Sequence, residues 1–299
     1  MNQRCGFAAI IGAPNAGKST LVNALVGAKI TIVSPKVQTT RTQVRGLLIE
    51  QESQIVLVDT PGIFLHPKRR LERAMVRAAW AGADEADVIL VIYDASRSKR
   101  DADTTRIIEQ LKKNDRKAVL VLNKIDLIAR EKLLKLAAAF DAEGCFDEIF
   151  MISAEKGDGL ERLRGFLAKR MPMGPWLFPE DQLSDMPMRL LAAEVTREKL
   201  FLQLHDEIPY ALTVETDSWE EFKDGSAKIQ QTIYLQRESL KPIVIGKGGN
   251  RIKKVREDTQ AELSEMMERP VHLFIFVKVR EKWVDDPERY RDWGLDYQS

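Results

Sequence analysis

Gly12-Ala-Pro-Asn-Ala-Gly-Lys18-Ser19 is the stretch that decides the fold of the first half of this 299-residue chain. It follows an apolar run at 7–11 and precedes a helical pattern at 20–26 that Gly27 can cap. A glycine turn between strand and helix lets backbone N–H groups surround phosphate oxygens, while the helix N-terminus adds partial positive charge. Lys18 can then reach the β and γ phosphates, and Ser19 can ligate magnesium. Gly12, Ala13, Pro14, Asn15, Ala16, Gly17 and Thr20 complete the candidate cradle.

Outward from this loop, strand patterns at 55–58, 88–93, 119–122 and 149–152 alternate with amphipathic helical stretches up to Met171. This rhythm predicts an α/β P-loop domain over 1–171, with a mainly parallel sheet and helices on both faces. Each further motif falls near a strand's C-terminal end, where open α/β sheets bind ligands. Val58-Asp59-Thr60-Pro61-Gly62 puts a carboxylate where it can hold magnesium through water, with the Gly62 amide facing a γ-phosphate. In Asn123-Lys124-Ile125-Asp126, the Asp126 carboxylate can accept from the ring N–H and exocyclic amine of guanine. Adenine lacks that donor pair and would leave the carboxylate unpaired. Ser153-Ala154-Glu155-Lys156 completes the base pocket, with the Ala154 backbone expected to contribute. Gln38-Thr39-Thr40-Arg41 offers a hydroxyl that completes the magnesium shell when a γ-phosphate is present. Thr40 is the first choice for that role and Thr39 the competitor.

These five elements resemble the translation-factor-like class of small GTPases, within its bacterial ribosome-assembly and RNA-modification branch. The resemblance implies GTP and GDP as ligands, with Lys18, Thr40 and Gly62 as the catalytic set and Ser19, Thr40 and Asp59 as the magnesium set. Many such enzymes orient water with a glutamine directly after the Asp-x-x-Gly element. Here that position is Ile63, followed by Phe64, Leu65 and His66. An apolar side chain cannot polarise water, so intrinsic turnover is expected to be slow, on the order of 10⁻⁴ s⁻¹. The resemblance further implies that Asn15 helps to hold a potassium ion.

The segment 172–188 contains four prolines and a glycine and reads as a linker. Beyond it, Leu190, Ala193, Leu200 and Leu204 recur at helical spacing, and two strand patterns follow, carried by Leu212 and Val214 and by Ile229, Ile233 and Leu235. Ile252, Val255, Leu263 and Met266 mark a later helix, and 271–279 reads as a strand. Val244-Ile-Gly246-Lys247-Gly248-Gly249 lies between helical patterns. The run 241–256 carries Lys241, Lys247, Arg251, Lys253, Lys254 and Arg256 with no acid among them. Glycines permit close backbone approach to phosphates, and the cations add charge without demanding a particular base sequence. The α-β-β-α-α-β order over 189–282 resembles an α+β type II KH domain, which clamps single-stranded RNA. Gly246, Lys247, Gly248, Gly249, Arg251, Lys253 and Lys254 are its candidate RNA contacts. The tail 283–299 is rich in aromatic and charged residues.

A net charge of +1 hides this local asymmetry, and 44% hydrophobic content supports two cores. Two cysteines make no disulfide framework, and three scattered histidines suggest no metal cluster. The apolar runs are too short to span a bilayer. G domain, linker and KH domain together resemble the Era-type family over nearly the whole chain. That resemblance implies binding of 16S ribosomal RNA near its 3′ end, action on the 30S subunit and a monomeric cytoplasmic protein with peripheral inner-membrane association. The alternative is a signalling GTPase whose C-terminal domain engages a protein or membrane surface.

Overall fold

The computed structural model describes all residues except 1, 2, 35, 37, 38, 42, 43, 64–66, 68, 206, 207 and 299, and the side chain of residue 292. Gln38, Phe64, Leu65 and His66, named above, lie outside the described residues. The chain divides into two compact units: Met1–Asp185 with Tyr290–Ser299, and Met186–Arg289.

In the first unit, β1 (Arg4–Gly12), β2 (Val44–Glu50), β3 (Ser53–Asp59), β4 (Val88–Asp94), β5 (Ala118–Asn123) and β6 (Phe146–Met151) form one sheet in the order β2-β3-β1-β4-β5-β6. β2 runs antiparallel to β3, and every other pair is parallel. Every residue of β3, β4 and β5 is buried, as a parallel sheet covered on both faces requires. The helices are α1 (Lys18–Val26), α2 (Arg70–Glu85), α3 (Ala102–Lys113), α4 (Arg130–Asp141) and α5 (Leu160–Arg170). α3 shows the local logic: Thr104, Ile107, Ile108 and Leu111 form its buried stripe. Asp101 caps it by accepting from the Thr104 amide at 2.8 Å, and Lys112 and Lys113 sit in the last turn, where the helix dipole favours cations.

β2 is an addition to the five strands expected from the sequence. It joins β3 through Gln51-Glu52, with Gln51 at φ 54°. Lacking an Asn-Gly or Asp-Gly signal, that turn does not announce a hairpin. The proline-rich segment after α5 is also more ordered than its composition suggests. The buried Gln54 side chain accepts from the Leu177 and Phe178 amides at 2.8 and 3.0 Å and donates to the Phe178 carbonyl at 2.8 Å. Farther along, Leu47 N–H donates to Leu183 O at 2.9 Å and Arg45 N–H to Asp185 Oδ1 at 3.1 Å. This strap supplies partners along the outer edge of β2, an edge that would otherwise present unpaired backbone groups. Within the same unit, the tail lies against α2: Arg70 stacks on the Tyr297 ring and Arg77 pairs with Asp296 at 3.3 Å.

The second unit contains α6 (Met188–Gln203), β7 (Leu212–Glu221), β8 (Ala227–Leu235), α7 (Lys241–Ile245), α8 (Asn250–Met266) and β9 (Val271–Val279), in the expected α-β-β-α-α-β order. A last short helix, α9 (Pro287–Asp292), begins at its end. β8 is central, antiparallel to β7 and parallel to β9. Leu200, Leu212, Ile233, Leu235, Val244 and Val255 share one core cluster, joining α6, the sheet, α7 and α8. α6 is buried beyond the single stripe expected from its leucines. It carries a buried Arg197–Glu194 ion pair, and Thr196 bonds to Gln231 of β8. Polar side chains thus satisfy one another where periodicity shows only an apolar face.

Candidate nucleotide site and nucleic-acid interface

The phosphate-loop motif occupies the turn between β1 and α1. Gly17 adopts φ 99°, and a Cβ there would lie 2.3 Å from Asn123 Nδ2, so only glycine fits this corner. Lys18 is 7% exposed, and its ammonium donates to Gly12 O at 3.2 Å and Ala13 O at 3.0 Å. Burial pulls its pKa down to about 8, against the attraction of Asp59. A cavity of about 380 Å³ opens here, lined by Pro14, Asn15, Lys18, Ser19, Thr40 and Gly62 among others.

At one end of the cavity, β3 delivers Asp59 to a cluster of hydroxyls. Its Oδ2 accepts from Ser19 at 2.8 Å, Thr31 at 3.2 Å and Thr40 at 3.4 Å, and the Ser19 and Thr40 hydroxyls lie 2.8 Å apart. Burial pushes the Asp59 carboxyl up, while Lys18 and the three hydroxyls oppose the rise. Its other oxygen, Oδ1, is buried and finds no partner among the described residues. An all-oxygen set with an unsatisfied carboxylate oxygen suits magnesium, which prefers one or two carboxylates together with water and substrate phosphates. Thr39 lines the same cavity, with its hydroxyl on Ser34 Oγ at 2.7 Å and Lys36 O at 2.6 Å. Thr31 was not anticipated from the sequence. Asn23 of α1 fixes it by accepting from the Ile30 and Thr31 amides and donating to Thr31 O.

Not every residue of the Asp59-Thr-Pro-Gly62 element faces the cavity. Thr60 is fully buried and donates to Ile10 O at 2.7 Å, which ties β3 to β1, and Pro61 is buried as well. Gly62 abuts Pro14, since a Cβ there would stand 3.3 Å from the Pro14 Cα. Ile63 is 1% exposed in the core cluster with Ala9 and Ile11, and its N–H donates to Gly12 O at 3.3 Å. Its side chain therefore contributes packing and has no route to a water molecule in the cavity.

The base pocket is lined by Gly17, Thr20, Asn123, Lys124, Asp126, Ser153, Ala154 and Glu155. Asp126 is exposed there, on the turn after β5. Asn123 is buried and acts as a rivet, donating to Ala16 O at 3.0 Å and accepting from the Ala154 amide at 3.0 Å. The Ala154 N–H donates to Asn123 in this arrangement, and Ala154 lines the pocket where its backbone is expected to meet the base. Lys124 has φ 63° and donates to Asn15 O at 3.0 Å and Asp94 Oδ2 at 2.7 Å. Burial pushes the Asp94 carboxyl up, but hydrogen bonds from Lys124 and Ser96 outweigh it and hold the group below the ordinary carboxylate value.

In the second unit, the other glycine loop connects α7 to α8. A Cβ on Gly248 would meet nothing within 4 Å, whereas one on Gly246 would meet Arg251 Cβ at 2.7 Å. The loop therefore presents open backbone at Gly248 and Gly249 and a closed corner at Gly246. Lys247 is exposed at its tip, beside the N-terminus of the 17-residue α8. Arg251 folds back onto the Ile243 carbonyl, Lys254 pairs with Asp258 at 2.7 Å and Lys253 approaches Glu257 at 4.0 Å. Three of the expected RNA contacts thus have protein partners. These acids, Glu257 and Asp258, come one helical turn after their lysine partners and directly after the run 241–256, just outside the window that holds only cations.

A sheet whose phosphate loop, hydroxyl–carboxylate cluster and guanine-type pocket converge, joined to an α-β-β-α-α-β unit with a glycine loop, defines a P-loop GTPase that carries a KH domain. The family described as a 50S ribosome-binding GTPase matches residues 7–124, and the KH domain family matches residues 207–284. GTPase Era of Sinorhizobium medicae is 59% identical over 98% of this chain and 94% of its own length, and GTPase Era of Agrobacterium fabrum is 58% identical over 98% and 92%. The chain belongs to the GTPase Era family. A crystal structure of Era with MgGDPNP and nucleotides 1506–1542 of 16S ribosomal RNA superposes with a TM-score of 0.90 at 39% identity, covering 98% of this chain and 99% of that one. An Aquifex aeolicus Era variant bound to GDP and aluminium fluoride superposes with the same TM-score.

Proposed function

We propose that this GTPase is a nucleotide-controlled switch that binds 16S ribosomal RNA near its 3′ end and assists maturation of the 30S subunit. The observation that carries this reading is the likeness over both units to the Era structure holding MgGDPNP and a 16S segment. The working division is a G domain over 1–171, a linker over 172–188, a KH domain over 189–282 and a tail over 283–299. In it, Lys18 and the loop amides hold the phosphates, Gly62 meets the γ-phosphate and Asp126 reads guanine. Ser19, Thr40 and Asp59 hold magnesium, which when bound neutralises charge on the β and γ phosphates. Gly246 to Gly249 and Lys247 clamp the RNA backbone, with Arg251, Lys253 and Lys254 beside them. Asn15, which lines the phosphate cavity, helps to hold potassium. The protein acts as a cytoplasmic monomer that associates peripherally with the inner membrane.

Affinity for single-stranded RNA of the 16S 3′ end, measured with GDP, with a GTP analogue and without nucleotide, tests the switch. The analogue is expected to strengthen binding about tenfold, within the usual range of coupling between sites. Equal affinities would refute nucleotide control. Loss of analogue-dependent RNA binding in Gly248→Asp assigns the clamp, and unchanged binding favours a protein-contact or membrane-contact role. GTP hydrolysis compared in potassium and sodium, with Asn15→Ala alongside, tests the potassium assignment, and equal rates in the two salts would sink it.

A further inference from the structure

The carbonyls of the phosphate loop are taken one after another by side chains. Lys18 bonds to Gly12 O and Ala13 O, Lys124 to Asn15 O and Asn123 to Ala16 O. These three residues belong to the motifs that mark the nucleotide site. The Pro14 carbonyl is held by a residue that no motif contains: Arg97, whose Nη2 donates to it at 2.8 Å. Arg97 lies on the segment between β4 and α3, half-buried, with its other terminal nitrogen 2.7 Å from Asp101 Oδ2. Asp101 is in turn anchored as the cap of α3 through Thr104. The guanidinium is therefore clamped between a fixed carboxylate and the loop, a two-pronged geometry that suits arginine's planar fork.

We infer that Arg97 is a positioning residue for GTP hydrolysis, acting through Pro14. The inference rests on the nucleotide site proposed above. Turning a carbonyl outward turns the following N–H inward, so the Pro14 contact sets the orientation of the Pro14–Asn15 peptide relative to the cavity. Pro14 also touches Gly62, the residue whose amide would face a γ-phosphate. The other end of the loop, at Gly17 and Lys18, is fixed independently by Asn123 and α1. Arg97 thus acts on the γ-phosphate side of the cradle and leaves the grip on a diphosphate largely alone. Its charge is felt at Lys18, whose pKa it helps to lower, but one N–H of each terminal nitrogen is committed to Pro14 or Asp101, which holds the fork beside the loop.

The test uses the full chain with Arg97→Ala and Arg97→Lys, reading single-turnover GTP hydrolysis beside the affinities for GDP and for a non-hydrolysable GTP analogue. Arg97→Ala is expected to slow hydrolysis about tenfold, the scale of losing one charge-assisted hydrogen bond from a positioned site. GDP affinity is expected to stay within about twofold, which also reports that the variant is folded. Arg97→Lys restores the single bond to Pro14 and is expected to recover about half of the loss on a logarithmic scale. An unchanged hydrolysis rate in Arg97→Ala with normal GDP binding would overturn the inference. So would equal weakening of GDP and analogue together with the slowed rate, because a general loosening of the loop does not distinguish the γ-phosphate. Failure of the unsubstituted chain to bind guanine nucleotides would instead refute the reading of the site itself.

Discussion

Lys18 and Asp59 share a buried corner in which each makes the other tolerable, and the nucleotide changes that balance. With its pKa pulled down to about 8, Lys18 is partly neutral in mildly alkaline solution before nucleotide arrives. Polyphosphate favours the charged form, so binding takes up a proton and GDP affinity is expected to fall about fourfold between pH 7 and 8.5. Titration of a fluorescent GDP across that range checks this, and a flat profile would show that Lys18 stays charged throughout. The sign for stability is the opposite. The folded pKa lies below the unfolded value of 10.5, so between about 8 and 10.5 the unfolded chain binds more protons, and this group's contribution to stability rises with pH. The adjacent threonines separate just as clearly. Thr40→Ala removes a hydroxyl from the Ser19–Asp59 cluster and is expected to slow single-turnover hydrolysis by about tenfold to a hundredfold and to raise the magnesium requirement. Thr39→Ala removes hydroxyl bonds to Ser34 and Lys36 and is expected to stay within about threefold. Equal effects of the two substitutions would contradict the assignment. The sequence could nominate the Thr39-Thr40 pair but not choose between them, because adjacent hydroxyls differ only in where the backbone turns them.

Among the elements, β2 carries the most information that periodicity hides. Its outward neighbours are the strap residues, and its inward face at Gly46 lies under α1. A Cβ on Gly46 would stand 2.6 Å from Ile30 Cδ1, 2.9 Å from Val26 Cγ2 and 3.1 Å from Val22 Cγ1. The end of Ile30 can turn aside, but the short Val26 and Val22 side chains yield only as α1 shifts, so Gly46→Ala is expected to cost about 1–3 kcal/mol. For a unit of this size that lowers Tm by roughly 2–4 °C per kcal/mol, readable in a thermal melt followed by far-ultraviolet circular dichroism. A Tm within about a degree of the parent would show that the packing relaxes without penalty. β3, β4 and β5 were legible because burial on both faces leaves uninterrupted apolar runs. β2 was not, because Arg45 and Gly46 break its run and its turn carries no glycine signal. The prolines of the strap suggest a plain linker for a related reason. What orders it is a buried glutamine more than a hundred positions away, and a polar residue inside an apolar strand gives no hint of its partner. Thr31 and Arg97 escaped for the same reason: each works through one contact remote in sequence, with no motif around it.

At the scale of the whole molecule, the proposed switch has a covalent route from nucleotide to the second unit through chain that the nucleotide can move. Thr40 and Asp59 sit at the magnesium cluster, and β2 begins at Val44, paired in register with Asp59. The outer edge of the same strand holds Leu183 and Asp185, and Met188, three residues further along the chain, opens α6 of the second unit. Ordering of the Thr40 segment by a triphosphate would therefore be felt along β2 and at the strap hydrogen bonds. Asp185 is the accessible point of intervention, since it accepts the Arg45 amide and lies 3.6 Å from the Arg45 guanidinium. Both groups are partly exposed, so the ion pair itself contributes little, and the amide bond sets the register. Asp185→Ala is expected to leave single-turnover hydrolysis and GDP affinity within about twofold, because no contact at the nucleotide site changes. The ratio of RNA affinities with GTP analogue and with GDP is expected to shrink by about fivefold, the scale of about 1 kcal/mol of coupling. Measuring RNA affinity in both nucleotide states for parent and variant yields that ratio directly. A preserved ratio would mean that coupling bypasses the strap, and a loss of RNA binding in both states alike would place Asp185 in the fold of the RNA-binding unit instead.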